Sequence, residues 1–276
     1  MSQKLLAFYG LKFNPFSASV PPDALWTSPA LESFCWRIEH QLGEGGFALA
    51  TGDPGTGKSA ALRLLADRLG RVRDLVVGIL TRPQASLADF YRELGHLFSV
   101  PLAPHNRWAS AKVLREKWLH HLDTARLRPV LLVDEAQEMA TPVFAELRLL
   151  ASTDLDSRSI LTVILAGDAR LAARLDAPEL LPLASRIRSR LRTEPLAPAH
   201  LRDCLQHLLQ AAGNPRLLSP ALLQTLSEHA AGNLRLLMNL GNDLLAAALR
   251  QERPTLDEQL FFELFALDPK TRAKRA

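Results

Sequence analysis

The sequence predicts an α/β fold: a parallel sheet flanked by helices, followed by a small all-helical domain. Three observations carry this reading. Short apolar runs alternate with stretches of helical periodicity as far as about Leu196, the pattern of strands joined by crossover helices. Residues 52–59 read GDPGTGKS between an apolar run and a helical stretch, the setting of a phosphate-binding loop. Beyond Leu196 no strand candidate remains, and prolines punctuate purely helical segments.

Taken in order, residues 1–30 read as an irregular N-terminal arm carrying Phe8, Tyr9, Phe13, Phe16 and Trp26 among Pro15, Pro21 and Pro22. A solvated tail rarely holds so many large apolar groups, so the arm is expected to pack on the domain near the nucleotide, where it offers a wall for adenine. The α/β domain is set at 31–196. It begins with a helix over 31–42 and a buried strand at Phe47–Ala50 that runs into Gly52. Ala60–Leu69 is rich in Ala, Leu and Arg and reads as helix. A second strand follows at Leu75–Leu80, then helices at Leu87–Phe98 and Ala111–Leu122. Val130–Val133 is a third strand, Glu138–Ser152 a helix and Ile160–Leu165 a fourth strand. Pro195, Pro198, Pro215 and Pro220 then divide helices at 199–212, 219–230 and 233–250, giving a helical lid domain at 197–262. Residues 263–276, ending in DPKTRAKRA, form a basic tail expected to be disordered.

Composition sets bounds. The 276 residues are 47% apolar, enough for one α/β domain and a small appendage. No segment offers 18 consecutive apolar residues, and the start lacks a signal-peptide core. A soluble, cytoplasmic protein without a membrane role is therefore expected. Cys35 and Cys204 are far apart in apolar stretches and read as buried thiols in a reducing compartment. The net charge of +4 permits nucleic-acid binding without demanding it.

The octapeptide carries the chemistry. Gly52, Gly55 and Gly57 let the backbone of Gly52, Asp53, Pro54, Gly55, Thr56 and Gly57 turn its N–H groups toward phosphate oxygens. The helix beginning near Lys58 aims its positive end at the same anion. Lys58 reaches the β- and γ-phosphates, and the Ser59 hydroxyl serves as a Mg²⁺ ligand. ATP with Mg²⁺ is thus the expected cofactor. Val130–Val133 is an apolar strand ending in Asp134 and Glu135, the Walker B pattern. Asp134 is placed to hold Mg²⁺ and Glu135 to polarise the water that attacks the γ-phosphate.

The stretches VLLVDEAQEM (130–139), AELRLL (145–150), VILAGDARL (163–171) and LASRIRSRLR (183–192) together resemble the ExeA-type branch of the AAA+ ATPases. YGLKFNPF (9–16) is similar to that branch's opening segment, and AAGN (211–214) with HAAGNLRLL (229–237) to its helical lid. The resemblance runs from about residue 9 to residue 250. It implies an active site shared between subunits of a homo-oligomer, with an arginine finger from the neighbour. Arg186 is the first candidate finger and Arg190 the second, within a run of Arg186, Arg188, Arg190 and Arg192 that could instead be a solvated basic face. Arg235 matches sensor 2 of the lid and would touch the γ-phosphate; otherwise it is a surface arginine at a helix start. Asp168 stands where this branch usually has Gln, at the sensor 1 position that orients the attacking water. An acid departs from the pattern, and a simple loop acid is the other reading.

Members of this branch acting in secretion carry a transmembrane helix and a cell-wall-binding domain after the ATPase, and this chain shows neither. It instead resembles the transposition regulators of the TnsC, TniB, MuB and IstB group, which implies an ATP-dependent ring or filament on double-stranded DNA of any sequence. Such an assembly recruits or activates a DDE transposase, with a target-selection protein as a further partner. Arg82, Arg107 and Lys112 are the candidate DNA contacts, with Arg115, Lys117 and Trp108 nearby; a helix's wet face explains the same residues. The tail's Lys270, Arg272, Lys274 and Arg275 are further candidates for DNA or the transposase. The alternative is an ExeA-like secretion or assembly ATPase acting on protein partners without DNA.

Overall fold

Runs of Val, Leu and Ile too short for helices pair into a sheet, and the longer amphipathic stretches between them fold over its faces. A computed structural model describes residues 2–82, 86–103, 105–154 and 157–265. In chain order the elements are α1 (Ser2–Tyr9), α2 (Pro29–Gln41), β1 (Gly46–Gly52), α3 (Lys58–Gly70), β2 (Leu75–Leu80), α4 (Leu87–Leu97), α5 (Arg107–His120) and β3 (Arg128–Val133). Then come α6 (Thr141–Leu150), β4 (Ser152–Thr153), β5 (Arg158–Ser159), β6 (Thr162–Gly167), α7 (Ala169–Leu175), α8 (Leu181–Ala184) and β7 (Ile187–Thr193). Four helices follow: α9 (Pro198–Ala212), α10 (Pro220–His229), α11 (Leu234–Arg250) and α12 (Glu258–Phe265). Two compact units result. One holds residues 27–54 and 58–193; the other holds 1–26, 55–57 and 194 onward.

The first unit is the α/β unit. Its five strands are all parallel in the order β2–β3–β6–β1–β7. Every residue of β6 is buried, and so is β3 apart from Arg128, as strands covered on both faces must be. Leu131, Val133, Val163 and Leu165 of these strands share a core with Phe90, Tyr91, Trp118 and Phe144 from the covering helices. Helix starts follow local chemistry. Ser28, Ser86 and Asn106 each accept a hydrogen bond from the N–H three residues on, opening α2, α4 and α5. At the far end of α4, Lys117 Nζ donates to the carbonyls of Phe98 and Ser99, at 2.9 and 3.0 Å. β4 and β5 form a two-residue antiparallel ladder.

The second unit is helical, and the N-terminal arm belongs to its core. Tyr9, Leu11 and Phe16 are buried with Leu205, Leu209, Leu222, Leu244 and Leu245. Lys12 N–H donates to the Ala212 carbonyl at 2.8 Å, and the Tyr9 hydroxyl to the Arg253 carbonyl at 3.1 Å. Gly241 on α11 makes room for an aromatic ring: a Cβ there would stand 2.3 Å from the Phe16 ring. These contacts account for Tyr9 and Phe16 without a nucleotide.

Four expectations are corrected. The arm, expected to be irregular, starts with α1, and Thr27 onward already belongs to the α/β unit, before residue 31. A fifth parallel strand, β7, begins just after Arg186 and takes up the rest of the arginine run: Ser189 and Leu191 face inward while Arg188, Arg190 and Arg192 face solvent. The helix expected over Glu138–Ser152 starts only at Thr141, because Ala136–Glu138 forms a 3-10 turn and Pro142 favours a helical first turn. α12 continues to Phe265, beyond the expected lid end at 262, with Leu260 and Phe261 buried. Lys270, Arg272, Lys274 and Arg275 lie outside the described residues. Both cysteines are buried free thiols, with burial raising them to about 11 at Cys35 and about 12 at Cys204.

Candidate nucleotide site

In an open parallel sheet, ligands gather beyond the strands' carboxyl ends. β1, β3 and β6 all end on that edge, with β6 between the other two. β1 runs into Gly52-Asp53-Pro54 and α3 starts at Lys58. The Lys58 ammonium is buried, donating to the carbonyls of Gly52 at 2.7 Å and Asp53 at 2.9 Å. A cation held by two carbonyl dipoles at the start of a helix exchanges them for an anionic phosphate at small cost. Ser59, one residue on, is exposed.

Gly55–Gly57, at the tip of the loop, belong to the helical unit. Gly55 has φ +87°, and a Cβ there would stand 2.2 Å from the Asn233 amide. Asn233 itself caps α11 by accepting from Leu236 N–H at 3.0 Å. The Arg235 N–H donates to the Gly55 carbonyl at 3.3 Å, and Arg235 is exposed. Gly57 has φ +100°. Only glycine takes both conformations at low cost.

Past β3, Asp134 accepts from Glu135 N–H at 3.0 Å. Glu135 adopts φ +51°, a left-handed conformation unusual for a non-glycine residue. That bend presents its carboxylate at the surface beside the strand ends. One carboxylate oxygen accepts from the amide of Gln137, which is buried. Gln137 Oε1 in turn accepts from Asp168 N–H at 3.2 Å. Gln137 is the functional candidate that sequence reasoning passed over; its only signal was its place in the DEAQ tetrapeptide.

Asp168 has other work. Its carboxylate caps α7, accepting from Arg170 N–H at 2.9 Å and from Arg170 Nε at 2.8 Å. The Arg170 hydrogen bond holds this carboxyl below its ordinary 3.8, against a smaller opposing effect of burial. Arg170 also pairs with Glu138 at 2.7 Å.

Arg186 lies between α8 and β7 and donates to the Pro182 carbonyl. Arg190 projects from the edge strand, within 3.5 Å of the Ala184 carbonyl. The candidate DNA contacts are scattered. Arg82 is exposed just past β2. Arg107 pairs with the buried Glu146 carboxylate, which also accepts from the Tyr91 hydroxyl. Lys112 stands 3.8 Å from Glu116 and 5.7 Å above the Trp108 ring.

The donor set fits a magnesium nucleotide. Ser59 and Asp134 offer hard oxygens, and such ions take most of their ligands from water and phosphates. Among the described residues no group of three or more His, Cys, Asp or Glu could hold a metal alone, which leaves the phosphates a share of the coordination.

Comparison with known proteins agrees with this geometry. Residues 40–175 match the AAA domain family. General secretion pathway protein A of Aeromonas hydrophila is 32% identical over 246 residues, which is 87% of this chain and 44% of that protein. The chain therefore spans less than half of that relative's length. Among solved structures, the Aeropyrum pernix ORC2 protein in its ADPNP-ADP complexes superposes with a TM-score of 0.74 at 16% identity, covering 95% of this chain and 74% of that one. Drosophila ORC bound to DNA gives a TM-score of 0.71 at 17% identity, covering 98% and 68%. Residues 40–175 are thus an AAA domain by sequence, and the fold is that of the solved structures it superposes on. No helix among the described residues is long and apolar enough to cross a membrane.

Proposed function

We propose that this protein binds ATP with Mg²⁺ and hydrolyses it, using the bound state to switch a homo-oligomer on double-stranded DNA. In this reading it regulates DNA transposition by recruiting or activating a DDE transposase. The observation that carries the ATPase part is the juxtaposition of Lys58 at the start of α3 with the Asp134–Glu135 pair one strand away across β6. Gly52 to Gly57 bind phosphates through the backbone, Lys58 neutralises them, and Ser59 and Asp134 hold the metal ion, which supplies charge neutralisation when bound. Glu135 accepts hydrogen bonding from the attacking water and orients it toward the γ-phosphate. Arg186, or Arg190 after it, reaches a neighbouring subunit's nucleotide, and Arg235 reports the γ-phosphate to the lid.

The DNA part is supported by the sequence resemblance to transposition regulators and by exposed Lys112 and Trp108 on α5. A protein-only secretion or assembly ATPase is the second reading. It is favoured by the A. hydrophila relative and by the internal engagements of Arg107 and Lys117. Electrophoretic shift of a labelled duplex separates them. The first reading expects an ATP-dependent, sequence-independent shift that ADP abolishes and salt weakens linearly on a log–log scale. Substituting Arg82, Arg107 and Lys112 together reduces the salt slope. No shift at modest salt with ATP present hands the function to the protein-only reading.

A further inference from the structure

We infer that Gln137 is a positioning residue for ATP hydrolysis, the group that sets the direction of the Glu135 carboxylate. The inference rests on the reading of Glu135 as the residue that acts on water.

Gln137 sits in the 3-10 turn after β3, is only 5% exposed, and makes two side-chain contacts in opposite directions. The Asp168 N–H can only donate, so the amide oxygen faces it, at 3.2 Å. The amide nitrogen is thereby turned to the Glu135 carboxylate, which can only accept. The two contacts thus fix the amide's orientation. Gly167, the last residue of β6, makes this possible: a Cβ there would stand 2.4 Å from Gln137 Oε1. The backbone of Gln137 is pinned as well, since Arg174 Nη1 donates to its carbonyl at 2.5 Å. Glu135 is otherwise exposed on a left-handed backbone. The Gln137 amide is the link that refers its carboxylate to the end of β6, the strand beside the phosphate loop. One carboxylate oxygen is held and the other is left to water. This is the orienting duty expected of Asp168, whose own carboxylate is taken by Arg170.

Three variants test it by turnover and ATP affinity measured on the same protein: Gln137→Ala, Gln137→Glu and Glu135→Gln. A carboxylate displaced by about 1 Å costs up to about a hundredfold in rate, so Gln137→Ala is expected to lose at least about tenfold in turnover while ATP affinity stays near wild type. Gln137→Glu keeps the size and the acceptor for Asp168 N–H, which guards against loss of folding. It replaces the donor with a second carboxylate facing Glu135, and only its protonated form can donate again. The charged groups around the turn are Asp134 at the end of β3, Glu138 in the turn itself, and Asp168, Arg170 and Arg174 at β6 and α7. All are present in the wild type, which is the reference. Gln137→Glu should therefore lose turnover at least as far as Gln137→Ala while still binding ATP. Turnover of Gln137→Ala near wild type, ATP affinity falling as far as turnover, or turnover of Gln137→Glu near wild type would each overturn the proposal. Glu135→Gln hydrolysing at the wild-type rate overturns the reading of Glu135 and this inference with it. A Glu135→Gln that has lost turnover beside a normal Gln137→Ala overturns the inference alone.

Discussion

Asp168 shows how one side chain's partners decide its role. Its carboxylate caps α7 and pairs with Arg170, which is engaged in turn by Glu138. Asp168→Asn keeps an acceptor for the cap and should leave turnover near wild type. Asp168→Ala loses the cap and should lower stability by about 1 kcal/mol in denaturant unfolding. Because its folded pKa is lowered, the carboxyl's contribution to stability is present above its ordinary 3.8 and is lost as pH falls through the lowered value. Asp168→Asn should therefore flatten part of the acid limb of the stability profile. A properly folded Asp168→Asn that no longer hydrolyses ATP would show instead that the carboxylate acts in the chemistry. At this scale the phosphate loop and the Asp134–Glu135 pair could be read from the sequence, because backbone geometry ties those residue types to that spacing. Gln137 could not. Its importance depends on Gly167, thirty positions further along the chain, having no side chain.

Elements were legible where periodicity and length agreed. β2 has the expected ends, and β3 and β6 differ from expectation only at their margins. β7 was hidden because four arginines in seven residues, Arg186 to Arg192, read as a basic face. It lies at the sheet's edge, where one face of the strand can remain charged. The alternation of Ile187, Ser189 and Leu191 with Arg188, Arg190 and Arg192 was the available signal. α1 and the arm were misjudged for a different reason. Their aromatic residues find partners on α9, α10 and α11, far away in sequence. That packing makes a prediction: Phe16→Ala removes a ring seated against Gly241 and should cost the helical unit about 3–5 kcal/mol. Differential scanning calorimetry should show the loss in the transition that reports the helical unit. An unchanged thermogram would mean that the arm does not belong to its core.

For the whole molecule, the issue is whether one chain completes the site. Arg186 donates to the Pro182 carbonyl in α8, just before the sheet's edge strand, and Arg190 on that strand lies within 3.5 Å of the Ala184 carbonyl. Arg186→Ala should bind ATP normally and lose cooperative hydrolysis. Mixing it with Lys58→Ala protein should restore part of the activity, since each variant supplies what the other lacks. Full activity in Arg186→Ala alone would move the finger to Arg190 or end the shared-site model. Beneath all of this lies the claim that the ends of β1 and β3 form a site that hydrolyses ATP. The direct measurement is ATP binding and ATP turnover side by side for the wild type, Lys58→Ala and Glu135→Gln. Lys58→Ala should lose binding, while Glu135→Gln should bind ATP as the wild type does with its turnover reduced by at least about a hundredfold. Turnover near wild type in Glu135→Gln, or unimpaired ATP binding in Lys58→Ala, would contradict it.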